Sequence, residues 1–184
     1  MGHLKRDLNG LDAIKLPRWL GSTSEVQSLH DFADASRRAY SACLNFVPIS
    51  GNPVLICSKT KVAPVKTLSI SKLELLGAQL LAQLIEYILP SLVYLPINIH
   101  CWSDSRNVLC LLKTAPVKLK VFEANRVSGI ITTLPDVRWK YVPTSQNPAD
   151  CATGGMSARE LNAFSLWWLG PPWLQTVSSW PDQS

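Results

Sequence analysis

Leu29, Asp31 and Ala33 alternate with His30, Phe32 and Asp34, and a run of small residues follows. Alternation with a period of two predicts a strand. The strand over Leu29–Asp34 is buried and ends in a carboxylate. After the turn Ala35-Ser36-Arg37-Arg38, a second apolar run covers Ala39–Val47. Pro48-Ile49-Ser50-Gly51-Asn52-Pro53 is turn chemistry, and Val54–Lys61 is a third strand. Sequential strands joined by short turns predict an antiparallel meander. Ala63–Thr67 crosses over to a long helix, Ser71–Leu89, whose polar stripe is Lys72, Gln79, Gln83 and Glu86. So narrow a stripe on an apolar helix requires burial against a sheet, and Pro90 ends the helix.

Ile97–Ser103 is the next strand and stops at Asp104. Ser105 caps a short helix over Arg106–Lys113, and Lys118-Leu119-Lys120 is a basic turn. Glu123–Thr133 places Val127, Ile130 and Ile131 at helical spacing, and Val137–Val142 reads as another strand. Asn147-Pro148-Ala149-Asp150 reads as a helix start, with Asn147 as cap and Pro148 at the first position. The predicted class is α/β. A mixed five-stranded sheet, first an antiparallel meander and then parallel strands, carries helices on both faces. Residues 1–27 are expected to be a linker left from something upstream, residues 28–160 the domain, and residues 161–184 a Trp/Pro-rich linker.

Composition adds little until charge is placed. The 184 residues carry a net charge of +5 and a pI near 9.0, which suits an anionic partner. The positive charges cluster at Arg37-Arg38, Lys59/Lys61/Lys66, Lys113/Lys118/Lys120 and Arg138/Lys140. Cys43, Cys57, Cys101, Cys110 and Cys151 are odd in number and form no Cys-x-x-Cys pair. That argues against a disulfide framework and a zinc knuckle, and for a reduced, intracellular setting in cytoplasm or nucleus. Met1-Gly2-His3-Leu4-Lys5-Arg6 lacks a hydrophobic signal region. The most apolar stretch, Leu73–Leu95, holds Glu74, Gln79, Gln83, Glu86 and Pro90, so a core helix is expected and no membrane span.

Four acids fall at element ends: Asp34, Glu74, Asp104 and Asp150. Each has a plain structural use. Asp34 can begin an Asx turn, and Ser71-Lys72-Leu73-Glu74 matches a capping box. Asp104 can cap a helix, and Asp150 can complement a helix dipole. Taken together, acids at the ends of neighbouring strands and of helices packed on them converge at a sheet crevice. Converging carboxylates cannot all stay ionised without a cation, and hard oxygen ligands select Mg²⁺ or Mn²⁺.

Further segments carry a family resemblance. They are His30-Asp31-Phe32-Ala33-Asp34-Ala35-Ser36, Ser58-Lys59-Thr60-Lys61-Val62-Ala63-Pro64, Thr67–Leu75, Trp102-Ser103-Asp104-Ser105 and Val142-Pro143 with Asn147-Pro148-Ala149-Asp150. The flanks Pro17-Arg18-Trp19-Leu20 and Leu166–Leu174 match too. Over roughly residues 16–181 the chain resembles the ribonuclease H region of BEL/Pao-type retrotransposon polyproteins. The resemblance implies a ribonuclease H-like fold and a metal-dependent endonuclease that cleaves the RNA strand of RNA–DNA hybrids. It implies two Mg²⁺ ions, with Mn²⁺ a possible substitute, held by Asp34, Glu74, Asp104 and Asp150. Ser36, Arg37, Lys59, Lys61, Ser105, Asn107 and Asn125 are its candidate substrate contacts. The implied partners are the hybrid itself and the upstream reverse transcriptase and downstream integrase of one polyprotein, with no small-molecule cofactor.

Two departures bear on activity. The loop Pro143-Thr144-Ser145-Gln146 holds no histidine, and Cys151-Ala152-Thr153-Gly154-Gly155 stands where a Ser-Arg-Gly-like ending is expected. The rival reading is a catalytically inactive or domesticated remnant serving as an interaction module. A DDE-type integrase is disfavoured because Glu74 precedes Asp104, and an aspartic protease because no Asp-Thr-Gly or Asp-Ser-Gly triplet occurs.

Overall fold

The structure, a computed structural model, describes residues 11, 12, 14, 26–92 and 98–183. Most of the expected 1–27 linker, with Pro17–Leu20, and Ile97 lie outside the described residues. The meander is β1 (Val26–Ala35), β2 (Ala39–Pro48) and β3 (Val54–Val62). Helix α1 (Ile70–Ile88) leads through the Pro90 turn towards β4 (Asn98–Ser103). Helices α2 (Arg106–Lys113) and α3 (Val121–Thr133) precede β5 (Arg138–Tyr141). The chain then forms α4 (Asp150–Gly154), α5 (Ala158–Ala163) and α6 (Ser165–Leu169). Strand order is β3-β2-β1-β4-β5, antiparallel among the first three and parallel from β1 to β4 to β5, as expected.

Alternation along β1 sends its residues to two cores. On one face Ala33, Ala42, Leu44 and Cys101 meet Leu75, Ala78, Leu81 and Ile85 of α1, with Val108 of α2 and Val127 and Ile130 of α3. The long apolar helix is therefore a core helix. On the other face Phe32, Cys43 and Trp102 pack with Cys151 of α4, Trp167 of α6, and Trp173 and Leu174 beyond it.

The C-terminal segment read from sequence as a Trp/Pro-rich linker contributes to that second core: Trp167, Trp173 and Leu174 are buried. The Trp173 indole N–H donates to Gln146 Oε1 at 2.7 Å, and the Trp168 N–H to the Leu161 carbonyl at 2.7 Å. Trp180 sets its ring edge-on to His30, His100 and Trp102, at centroid distances of 5.4, 4.8 and 5.3 Å. The physical reason is supply. With α1–α3 all on one face, the large aromatic face of β1 and β4 has to be covered by chain that comes later. Beneath this cover Trp102 donates to His30 Nδ1 at 3.2 Å, which leaves Nε2 to donate to Ser28 Oγ at 3.1 Å. Burial, then His100 and Lys140, push His30 down to about 3 and keep it neutral.

One residue conflicts with its surroundings. Asp31 is completely buried on the α1 face, opposite Leu44 and Cys101, and neither carboxyl oxygen has a hydrogen-bond partner among the described residues. Burial raises its pKa well above the usual carboxylate range. The folded state thus keeps a proton that the unfolded chain releases near 3.8, and stability falls as pH rises from there towards the raised folded value. A buried polar group without a partner costs about 1–3 kcal/mol. Asp31→Val is expected to raise the melting temperature by roughly 5 °C at neutral pH and to flatten its fall between pH 5 and 8. Thermal unfolding across that range checks it; a variant that melts below the parent at pH 7.5 would show that the carboxyl has a hidden partner.

Candidate active site

β1 and β4 are parallel neighbours with Ala33 beside Ser103. One residue further on, Asp34 and Asp104 leave the carboxyl ends of these two strands level with each other. Ligand crevices in mixed sheets form at this end, where the chain departs to different sides.

Asp34 is 8 % exposed. Burial raises its pKa to about 6; a hydrogen bond from Thr153 opposes this, and the charges of Asp104 and Asp150 add to it. Asp150 is also raised, by burial first and by Asp104 second. The charge of Asp104 is thus felt at both Asp34 and Asp150, and that of Asp150 at Asp34.

Glu74 comes from α1 and is tied to the β4–α2 junction through Ser105. The capping-box reading fails because the helix begins earlier: Ser69 is the N-cap, and its carbonyl accepts from Lys72 and Leu73 at 3.0 and 3.1 Å. Glu74 is thereby placed in the second turn, where its Oε2 accepts from Ser105 Oγ at 2.7 Å. Ser105 is the cap of α2 as expected, accepting from Val108 N at 3.2 Å, so Asp104 is free of capping duty. The helix crosses the end of β1 at Gly77. A Cβ there would stand 2.9 Å from the Asp34 carbonyl oxygen, so only glycine allows this approach.

The last acid is placed by its own small network. Asn147 does not begin α4, which starts at Asp150. Its side chain donates to the Ala33 carbonyl at 3.0 Å and accepts from Ala149 N at 3.1 Å, and so fastens the segment before α4 to the end of β1. Pro148 lies before the helix for the same reason. Thr153, one turn after Asp150, donates to Asp34 Oδ2 at 2.5 Å and lies 3.0 Å from the Asp150 carbonyl. Ser36 donates to the Thr153 carbonyl at 2.9 Å, and Arg38 donates to the Gly154 carbonyl. Sequence reasoning missed Gly77 and Thr153. Neither carries a local signal, since each matters only through a partner far away in the chain.

Among the described residues, no three acidic, histidine or cysteine side chains already form a group able to hold a metal ion. Among the four acids, the charges of Asp104 and Asp150 act on Asp34, and Glu74 is joined to the β4–α2 junction by Ser105. Thr153 and Ser105 each hold one oxygen of this acid set by a hydrogen bond, on Asp34 and Glu74 respectively. The donor chemistry fits a hard divalent ion: carboxylate oxygens from four elements, one of them held at a raised pKa by burial first and by its acidic neighbours in addition.

Of the candidate substrate contacts, Ser36 and Ser105 have their hydroxyls engaged within the fold. Arg37, Lys59, Lys61, Asn107 and Asn125 are exposed. Arg37 lines a cleft of about 510 Å³ with Thr67, Ser69 and Ile70 at the start of α1.

This sheet order, with acids at the ends of its central parallel strands, defines a ribonuclease H-like fold. The N-terminal RNase H domain of rv2228c from Mycobacterium tuberculosis is similar with a TM-score of 0.50 and 11% identity, over 74% of this chain and 95% of that one. RNase H1 from the halophilic archaeon Halobacterium salinarum NRC-1 aligns with a TM-score of 0.46 and 13% identity, over 74% and 98%. The foamy viral protease-reverse transcriptase, solved in complex with RNA/DNA hybrid, aligns with a TM-score of 0.46 and 10% identity, over 71% of this chain and 19% of that one. At these identities the likeness is one of fold. No curated protein sequence matches the chain. The sequence profile of the Pao retrotransposon-like RNaseH-like domain matches residues 1–105, more than half of the chain, and the protein belongs to that family. The matched span contains Asp34, Glu74 and Asp104 and stops before Asp150.

Proposed function

We propose that this chain is a metal-dependent endonuclease that cleaves the RNA strand of RNA–DNA hybrids, as the ribonuclease H part of a retrotransposon polyprotein. Beyond family membership, one observation carries the reading. Asp34 lies buried at the end of the central strand; burial raises its pKa to about 6, and the charges of Asp104 and Asp150 add to that rise. Asp34, Glu74, Asp104 and Asp150 would hold Mg²⁺ or Mn²⁺. When bound, such ions supply an activated water and stabilise charge on the phosphodiester oxygens. Thr153 orients the Asp34 carboxylate and Ser105 that of Glu74. Phosphate and 2′-OH contacts, for which Arg37, Lys59, Lys61, Asn107 and Asn125 are candidates, read the form of the duplex and not its sequence. The upstream reverse transcriptase and downstream integrase of the polyprotein are the proposed covalent partners, and the cell interior is the proposed location.

The test uses the purified full chain and end-labelled RNA in hybrid, single-stranded and double-stranded form. Cleavage is expected in the hybrid alone, only with Mg²⁺ or Mn²⁺, and falling steeply as salt rises. Intact hybrid with either ion at low salt would overturn the reading in favour of an inactive module.

A further inference from the structure

The turn that follows Asp34 is tightly closed. Ser36 N donates to the Ala39 carbonyl at 2.8 Å, and Arg38 N and Ala39 N donate to Ser36 Oγ at 3.1 and 3.3 Å. Ala63 N donates to the Arg38 carbonyl at 2.8 Å and so pins the base of this arginine to the chain leaving β3. Arg37 and Arg38 are adjacent, exposed and equal in charge, but they go different ways. Arg37 lines the cleft at the start of α1, whereas Arg38 reaches across to the Gly154 carbonyl at the end of α4.

The end of a helix leaves its last carbonyls without partners inside the helix. In α4 the turn supplies them: Ser36 Oγ donates to the Thr153 carbonyl at 2.9 Å and Arg38 to that of Gly154. Gly155 follows at φ +80°, and a Cβ there would lie 3.8 Å from Arg38 Nη2, so the guanidinium runs close along the backbone. Thr153 is the joint, because its hydroxyl donates to Asp34 Oδ2 at 2.5 Å while Ser36 holds its carbonyl. The contacts therefore close a ring from Asp34 through its own turn to the end of α4 and back. α4 has five residues and starts at Asp150. So short a helix has little stability of its own. Its place is decided by what grips its two ends: Asn147 on the Ala33 carbonyl before it, and the turn behind it.

We propose that Arg38, with Ser36, is a positioning residue of the acidic site: it fixes α4 so that Asp150 and Thr153 keep their places relative to Asp34. What the acids then do rests on the nuclease reading; the grip on α4 does not.

The experiment compares Arg38→Gln, Arg38→Lys and Arg37→Gln in the full chain. Calorimetry reads Mn²⁺ binding without nucleic acid, hydrogen exchange reads the amides of α4, and kinetics separate kcat, the KM for hybrid and the Mg²⁺ requirement. Arg38→Gln is expected to weaken Mn²⁺ binding about tenfold, to raise the Mg²⁺ needed for half-maximal cleavage by about as much, and to lower kcat about tenfold. The KM for hybrid is expected to stay within about twofold. Exchange in α4 is expected to quicken about tenfold, with β5 unchanged. Arg38→Lys keeps a cationic donor for a single carbonyl and is expected to recover most of each loss. Arg37→Gln removes the same charge one residue away; it is expected to raise KM and to leave Mn²⁺ affinity and α4 exchange as in the parent. An Arg38→Gln protein with the parent's Mn²⁺ affinity or the parent's exchange in α4 overturns the proposal, as does a lysine variant no better than glutamine. A parent that never cuts hybrid, but whose Mn²⁺ affinity and α4 exchange respond to Arg38→Gln, sinks the nuclease reading alone. A parent that cuts, with no response to Arg38→Gln, sinks the positioning role alone.

Discussion

Asp34→Asn is expected to abolish hybrid cleavage and, in the absence of metal, to make the protein more stable. The carboxyl is buried, feels the charges of Asp104 and Asp150, and titrates near 6 in the folded chain, against 3.8 when unperturbed. Between those values the folded state binds more protons than the unfolded state. Stability therefore declines as pH rises from about 4 to about 6 and stays at the lower level above. The displacement corresponds to roughly 3 kcal/mol. Asparagine removes the charge and keeps an oxygen that can accept from Thr153. The melting temperature in EDTA at pH 7.5 is expected to rise by roughly 5 °C or more, while cleavage falls at least ~10³-fold because the carboxylate proposed to hold the metal is gone. A variant that keeps a few per cent of the parent rate, or melts lower without metal, would show that Asp34 is an ordinary structural acid.

Gly77→Ala is expected to lower cleavage about a hundredfold with only a small change in stability. Two effects compete. Alanine in a helix interior is favoured over glycine by about 1 kcal/mol. The added Cβ would press on the Asp34 carbonyl, and forcing a tight contact of this kind costs typically 1–3 kcal/mol. Because the opposing atom is backbone, relief comes by moving α1 away from β1. That shifts Glu74, three residues before, relative to Asp34, and misplacement of about 1 Å can cost 10²-fold in rate. Gly129→Ala is the control. A Cβ at Gly129 in α3 meets nothing nearer than Gln79 Nε2 at 3.9 Å. It is expected to stabilise by about 0.4–1 kcal/mol and to leave cleavage unchanged. Equal rates for Gly77→Ala and the parent would mean that the spacing of helix and strand does not matter to the site.

The framework was legible because its signals are local. Alternation marked β1, apolar runs bounded by turn residues marked the strands after it, Pro90 the end of α1, and Ser105 the cap of α2. Asp34 and Asp104 could be singled out as acids ending strands. Glu74 was ambiguous because Ser71 resembles a cap, and only the helix start at Ser69 resolves it. Asn147 was misassigned for a similar reason: its side chain does accept a backbone N–H, but its main task is to reach Ala33 across the fold. Ser157 and Glu160 form a complete capping box that starts α5, a readable signal that the Trp/Pro-rich composition of the region obscured. The packing of the last segment could not be read at all. Its tryptophans follow no period, and Phe32 and Trp102 lie far back in the sequence.

That last segment sets a timetable for the molecule. A ribosome releases β1 to β5 and the whole α1 side of the core before Trp167, Trp173 and Trp180 exist to cover Phe32, His30 and Trp102. During synthesis the aromatic face stays bare until that tryptophan segment emerges. A protease that trims the chain back to Phe164 recreates that state in the finished protein, turning a wrapped sheet into a sticky one.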